Sequence, residues 1–256
     1  MKLLSVFSVF SILLFWQIAG HLNWTDPVYF PTPLVILHQA LLLFSDQPEF
    51  RSHLLSSLFR LLTGQLVALP FALLLAFLTT LSSAARAIIS PWIGLTYPIP
   101  KLALFPFLLI LLGTGDLSKI AMIALGSFFL MYLSFTIGLR RIYTSEQFEV
   151  VTLYNVKPGK IFWNVFLKGA APEIINGIKM GFGYGLVMMV GSEMTMSKNG
   201  LGFFMWNSWD QFHLHDMYAC LAWISFLGIT TFRCCDWLET KTRQVQNQGV
   251  QLTNNF

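Results

Sequence analysis

The sequence predicts an all-α polytopic membrane bundle of about six spans. Of its 256 residues, 55% are hydrophobic and 11% are charged, against about 25% charged in an ordinary soluble domain. The apolar residues also gather into separated runs near the roughly 20-residue length of a transmembrane helix. Each run is expected to be helical, because lipid offers no partner for free backbone N–H and C=O groups.

The spans are expected near 3–19, 57–80, 88–112, 118–139, 173–195 and 216–233, within one transmembrane domain covering 1–256. The first run follows Lys2 and reads as a retained span, since no clean small-residue cleavage site follows it. Between the first two spans lies FPTPLVILHQALLLFSDQPEF. Its residues 34–44 are apolar but too short to cross, so a helix lying at the outer interface is expected after the Pro31 and Pro33 turn. The tail from Lys241 is rich in Gln and Asn and reads as a short disordered end.

Lys and Arg placement sets the orientation. With a cytoplasmic N-terminus, the inner side holds Lys2, Arg86, Arg140, Arg141, Lys157, Lys160, Lys168, Arg233, Lys241 and Arg243, and the outer side only Arg51, Arg60, Lys119 and Lys198. Both termini are then cytoplasmic. The net charge of +4 is not gathered into a basic patch, which excludes nucleic acid as a partner. Cys220, Cys234 and Cys235 lack metal spacing and read as reduced residues near the ends of a span.

The cytoplasmic segment 144–172 departs from the lipid-like pattern. Thr144 and Gln147 form a capping-box pattern, so a short helix is expected there, running to about Tyr154. Asn155 suits the left-handed turn that closes a helix, and Pro158 suits the first turn of the next, over about Pro158–Leu167. On that second helix Lys157, Lys160, Asn164 and Lys168 make one polar stripe. Ile161, Phe162, Trp163, Val165 and Phe166 cover most of the rest. GAAP then breaks the helix and Pro172 opens the fifth span. So much apolar surface on a loop marks either a docking face or packing against the chain's own helix ends.

This segment resembles the coupling motif of ABC importer permeases, which reads Glu-Ala-Ala, three residues, Gly, nine residues, Ile-x-Leu-Pro. Glu149, Val150 and Val151 stand at the start, Asn155 at the glycine, Val165, Phe166 and Leu167 nine residues later, and Lys168 at the proline. FPTPLVIL, SLFRLLTG, PIPKLALFPFLLILLGTGDLSKI and GSEMTMSKNGLG resemble runs of one branch, the nitrate/sulfonate/taurine-type permeases. The resemblance implies a type I ABC importer permease fold in the bacterial inner membrane. It implies coupling to ATPase subunits through Glu149, Val150, Val151, Asn155, Ile161, Phe162, Val165 and Leu167. Two permease subunits, as homodimer or heterodimer, and an extracytoplasmic binding protein are implied as well. The solute would be small, anionic or heteroaromatic.

Other residues keep two readings. Gly177, Gly181 and Gly185 recur every fourth residue and suit close helix packing, across a dimer axis beside a pore or within one subunit. Glu193 is a functional or paired carboxylate at membrane depth, or one sitting in interfacial water. Lys101 follows the Pro98 and Pro100 break and either faces a pore or snorkels to the interface. Arg60 reads as an interfacial anchor, and His53, His213 and His215 as loop residues near the outer face. The path candidates are thus Lys101, Gly181, Gly185 and Glu193. No catalytic constellation and no metal site is expected. No cofactor of the chain's own is expected either, because it has no Walker-type loop and ATP would be bound by a partner ATPase. The rival functions are a membrane-embedded enzyme using Glu193 and the histidines, and an ion-coupled carrier, which would need internal inverted repeats.

Overall fold

A computed structural model describes residues 2–145, 148 and 161–253. Among them every regular element is helical: α1 Lys2–His21, α2 Pro33–Asp46, α3 Pro48–Leu81, α4 Ser83–Thr96, α5 Phe105–Leu112, α6 Asp116–Tyr143, α7 Ala171–Met196, α8 Leu201–Asp210 and α9 Leu214–Thr253, with a 3-10 turn over Lys101–Leu104 and a π-helical segment over Ile161–Leu167. Four of these helices carry stretches long and apolar enough to cross a membrane, and the bent α4–α5 pair makes a fifth candidate. With the 20 residues of α1 the bundle comes close to six spans.

Two compact units emerge. The first comprises Met1–Leu58 and Glu193–Leu227. Its core joins Ala40 and Leu43 of α2, Phe50 of α3, Leu201 of α8, and Ala219 and Cys220 of α9. Ile36, Ala40 and Leu43 fall at helical spacing on the buried side of α2, and Trp223 Nε1 donates to the Ala40 carbonyl at 2.9 Å. The second unit comprises Phe59–Ser192 and Gly228–Phe256. Its interior is built on α6, where Met122, Ile123, Met131, Phe135 and Leu139 are buried against residues of α3, α5 and α7.

α3 starts at Pro48 and contains the expected span near 57–80; proline suits a first helical turn and Glu49 favours the positive end of the helix dipole there. Pro70 lies inside α3 without ending it. The break expected at Pro98 and Pro100 lies within the third span: α4 and the Lys101–Leu112 stretch meet at 93°. Pro98 and Pro100 remove the amide donors that would continue the helix. The tail is not a disordered end but continues α9 through Thr253, with no proline to stop it. At 40 residues α9 is about 60 Å long, about twice the hydrocarbon thickness. Thr144 closes α6: its N–H donates to the Arg140 carbonyl at 3.0 Å, the Ser145 N–H donates to the Ile142 carbonyl at 3.1 Å, and the Thr144 hydroxyl donates to the Arg140 carbonyl at 3.0 Å. Gln147, Glu149, Val150, Val151, Asn155, Lys157 and Lys160 lie outside the described residues.

Candidate functional site

Glu193 ends up in a closed polar joint. It sits near the end of α7 with no exposed surface. Ser57 Oγ of α3 lies 2.9 and 2.8 Å from its two carboxylate oxygens, and the Gly202 N–H donates to Oε2 at 3.0 Å. Ser57 Oγ in turn accepts the Leu201 N–H at 2.7 Å. The carboxylate therefore satisfies a backbone donor in the first turn of α8, where four N–H groups lack intrahelical partners and a negative charge is favoured. Gly200 makes this approach possible. Its φ is +112°, and a Cβ there would come within 2.4 Å of Glu193 Cδ. Its N–H donates to His53 Nδ1 at 3.0 Å. His53 is therefore a helical residue of α3, not a loop residue, and its Nδ1 is the acceptor nitrogen. Ser57 was not legible as a partner of Glu193, nor His53 as the acceptor of the Gly200 N–H. The Asn199-Gly200 turn pair was the one local signal that the chain reverses there.

Lys101 is 4% exposed at the α4–α5 break. Its ammonium donates to the Thr96, Tyr97 and Ile99 carbonyls at 2.7, 2.8 and 2.8 Å. It also lies 4.3 Å from the centre of the Phe129 ring. The lysine thus donates to three carbonyls at the break, of which that of Thr96 also accepts the Ile99 N–H at 3.3 Å, and this accounts for a buried cation without invoking a solute.

The glycines of α7 are filled from within the chain. A Cβ at Gly177 would meet Phe135 and Ser134, and one at Gly181 would meet Met131. One at Gly185 would fall 2.3 Å from Gln65 Nε2 and 2.9 Å from Ser127 Oγ. Gln65 of α3 donates to Ser127 Oγ at 2.9 Å and to the Gly181 carbonyl at 3.1 Å, and Ser127 of α6 donates to that same carbonyl at 2.9 Å. Three helices thus meet on one backbone oxygen where glycine lets them approach. Arg60 is not an isolated anchor: its Nη2 lies 2.7 Å from Asp116 Oδ1, with the arginine side chain 2% exposed.

Beyond α6, the segment Ile161–Leu167 returns the chain to α7. Phe166 is 2% exposed, with its ring centre 5.3 Å from Phe77 and 5.2 Å from Phe148. Ile161 packs on the same cluster, and Val165 and Leu167 are half-buried. Trp163 is exposed, as is Lys168, where the family motif has proline. GAAP does not break the chain's direction: only Ala170 interrupts the helix, and hydrogen bonds cross it, from the Ala170 N–H to Phe166 and from the Ile174 N–H to Ala170.

Comparison with known proteins agrees with this architecture. Residues 68–244 match the family described as binding-protein-dependent transport system inner membrane component. The chain is 29% identical to the taurine transport system permease protein TauC of Escherichia coli over 233 residues, covering 90% of this chain and 83% of the relative. It is 26% identical to a putative aliphatic sulfonates transport permease protein, SsuC, of Bacillus subtilis, covering 92% and 85%. A putative ABC transporter permease protein of Methanocaldococcus jannaschii is 28% identical, covering 70% and 66%. The chain belongs to the binding-protein-dependent transport system inner membrane component family, and is an ABC transporter permease, a multi-pass membrane subunit and not an enzyme.

Proposed function

We propose that this permease forms the solute path of an ATP-driven importer for a small anionic solute of the sulfonate class. The names of the taurine and sulfonate relatives support that class, and a separate extracytoplasmic binding protein would deliver the solute. A second permease subunit, identical or related, would complete the path, and both termini would be cytoplasmic. ATP would be bound by a partner ATPase, with no cofactor on this chain.

The observation that carries the reading is the element after α6. Phe166 is anchored under aromatic rings while Trp163 stays exposed on the same short helix. A rigidly held element with apolar surface to spare suits docking of an ATPase chain. The coupling role falls to Glu149, Val150, Val151, Asn155, Ile161, Phe162, Val165 and Leu167. Lys101, Gly181 and Gly185 are assigned to holding the bend and the helix spacing that shape the path. Glu193 is assigned to fixing the turn into α8. Deleting 148–168 should abolish co-purification of the ATPase chain while the permease still reaches the membrane. Retention of the ATPase by that variant would defeat the coupling assignment.

A further inference from the structure

The start of α7 and the end of α6 are joined more closely than apolar packing requires. Arg141, in the last turn of α6, places Nη1 2.6 Å from Glu173 Oε1 and Nη2 3.0 Å from Glu173 Oε2. The same Nη2 lies 3.3 Å from the Gly169 carbonyl. Ser134 Oγ donates to the Glu173 backbone carbonyl at 2.8 Å. Gly138 lets the two helices touch, since a Cβ there would fall 2.6 Å from Glu173 Cβ and 3.3 Å from that of Ala170. Gly169 does the same against Ile142, at 2.8 Å.

We infer that Arg141 and Glu173 are positioning residues that key α6 to the returning segment and α7, so that displacement of the docked segment moves both helices together. This rests on the coupling reading above. The physical reason lies in the kinds of contact. Hydrogen bonds run from Phe166 through Ala170 to Ile174, so the segment and α7 move as one piece. Apolar contacts between that piece and α6 are non-directional and would allow slippage along the helix axis. A two-point guanidinium–carboxylate fork is directional and fixes one register. The pair also suits both helix ends, with the cation at a C-terminus and the anion at an N-terminus. Because the Arg141 side chain is 54% exposed, the fork adds little to stability. Its effect is therefore expected on transmission more than on folding.

The test uses the complete assembly in proteoliposomes, with the co-purifying ATPase and binding protein. The readout is stimulation of ATP hydrolysis by the binding protein, relative to hydrolysis without it. Arg141→Ala and Glu173→Ala should keep the ATPase chain bound, while stimulation falls by about threefold to thirtyfold. The double variant should be no worse than either single one, because one shared interaction is lost once. Arg141→Lys, which keeps the charge without the fork, should fall in between. Gly138→Ala should reduce stimulation with no change in charge. Unchanged stimulation, additive losses in the double variant, or loss of the ATPase from Arg141→Ala would overturn the inference. Its failure is separable from failure of the coupling assignment, which is read from the 148–168 deletion alone.

Discussion

Replacing Glu193 with alanine tests whether this carboxylate holds the turn into α8. The substitution removes the acceptor from two buried donors, the Ser57 hydroxyl and the Gly202 N–H. A buried donor left without a partner costs about 1–3 kcal/mol, so the joint should lose about 2–6 kcal/mol. Glu193→Gln keeps one acceptor oxygen in the same volume and should cost about 1–3 kcal/mol. Ser57→Ala strands the Leu201 N–H instead and should fall in the same range. Hydrogen exchange of the Leu201 and Gly202 amides in the purified assembly reads the joint directly. A loss of even about 2 kcal/mol speeds exchange of the Gly202 amide by about thirtyfold, at tenfold per 1.4 kcal/mol. Amides deep in α6 should keep their protection, since the joint lies in the other compact unit. Unchanged Gly202 exchange in Glu193→Ala would refute the reasoning, because the carboxylate would then not be satisfying that donor.

The bend and the helix spacing carry their own predictions. Lys101→Met should preserve most of the apolar stem but leave the Tyr97 and Ile99 carbonyls without the ammonium donor, the Thr96 carbonyl keeping the Ile99 N–H, and destabilise the break by about 1–3 kcal/mol for each carbonyl that is stranded away from water. A lower unfolding temperature in detergent and faster cysteine labelling at positions 98–100 are the expected signs. Gly185→Ala should force Gln65 off Ser127 and cost about 1–3 kcal/mol, whereas Gly94→Ala, where a Cβ meets nothing within 4 Å, should be neutral or mildly stabilising by thermal unfolding.

The helical class, the order of the apolar helices and the break at Pro98 and Pro100 were legible because each depends on local chemistry. Lipid forces helices, and two prolines remove amide donors wherever they stand. The choice between paired and interfacial readings of Glu193 was not legible, because Ser57 and Gly202 come from different helices. The capping-box reading of Thr144 rests on Gln147, which lies outside the described residues, while the Thr144 hydroxyl donates to the Arg140 carbonyl in the last turn of α6.

By itself the sequence determined the membrane environment, the helical class and the family, since hydropathy and motif spacing are written along the chain. Only the tertiary structure decided what the polar residues inside it do. Burial makes every unpaired donor expensive, so each must find a partner, and those partners often lie far away along the chain. Glu193 meets Ser57, Gln65 meets Ser127 and Gly181, and Arg141 meets Glu173 only once the helices have packed. The α7 glycines likewise became intelligible as the room those contacts need, a role that their four-residue spacing allowed but could not assign.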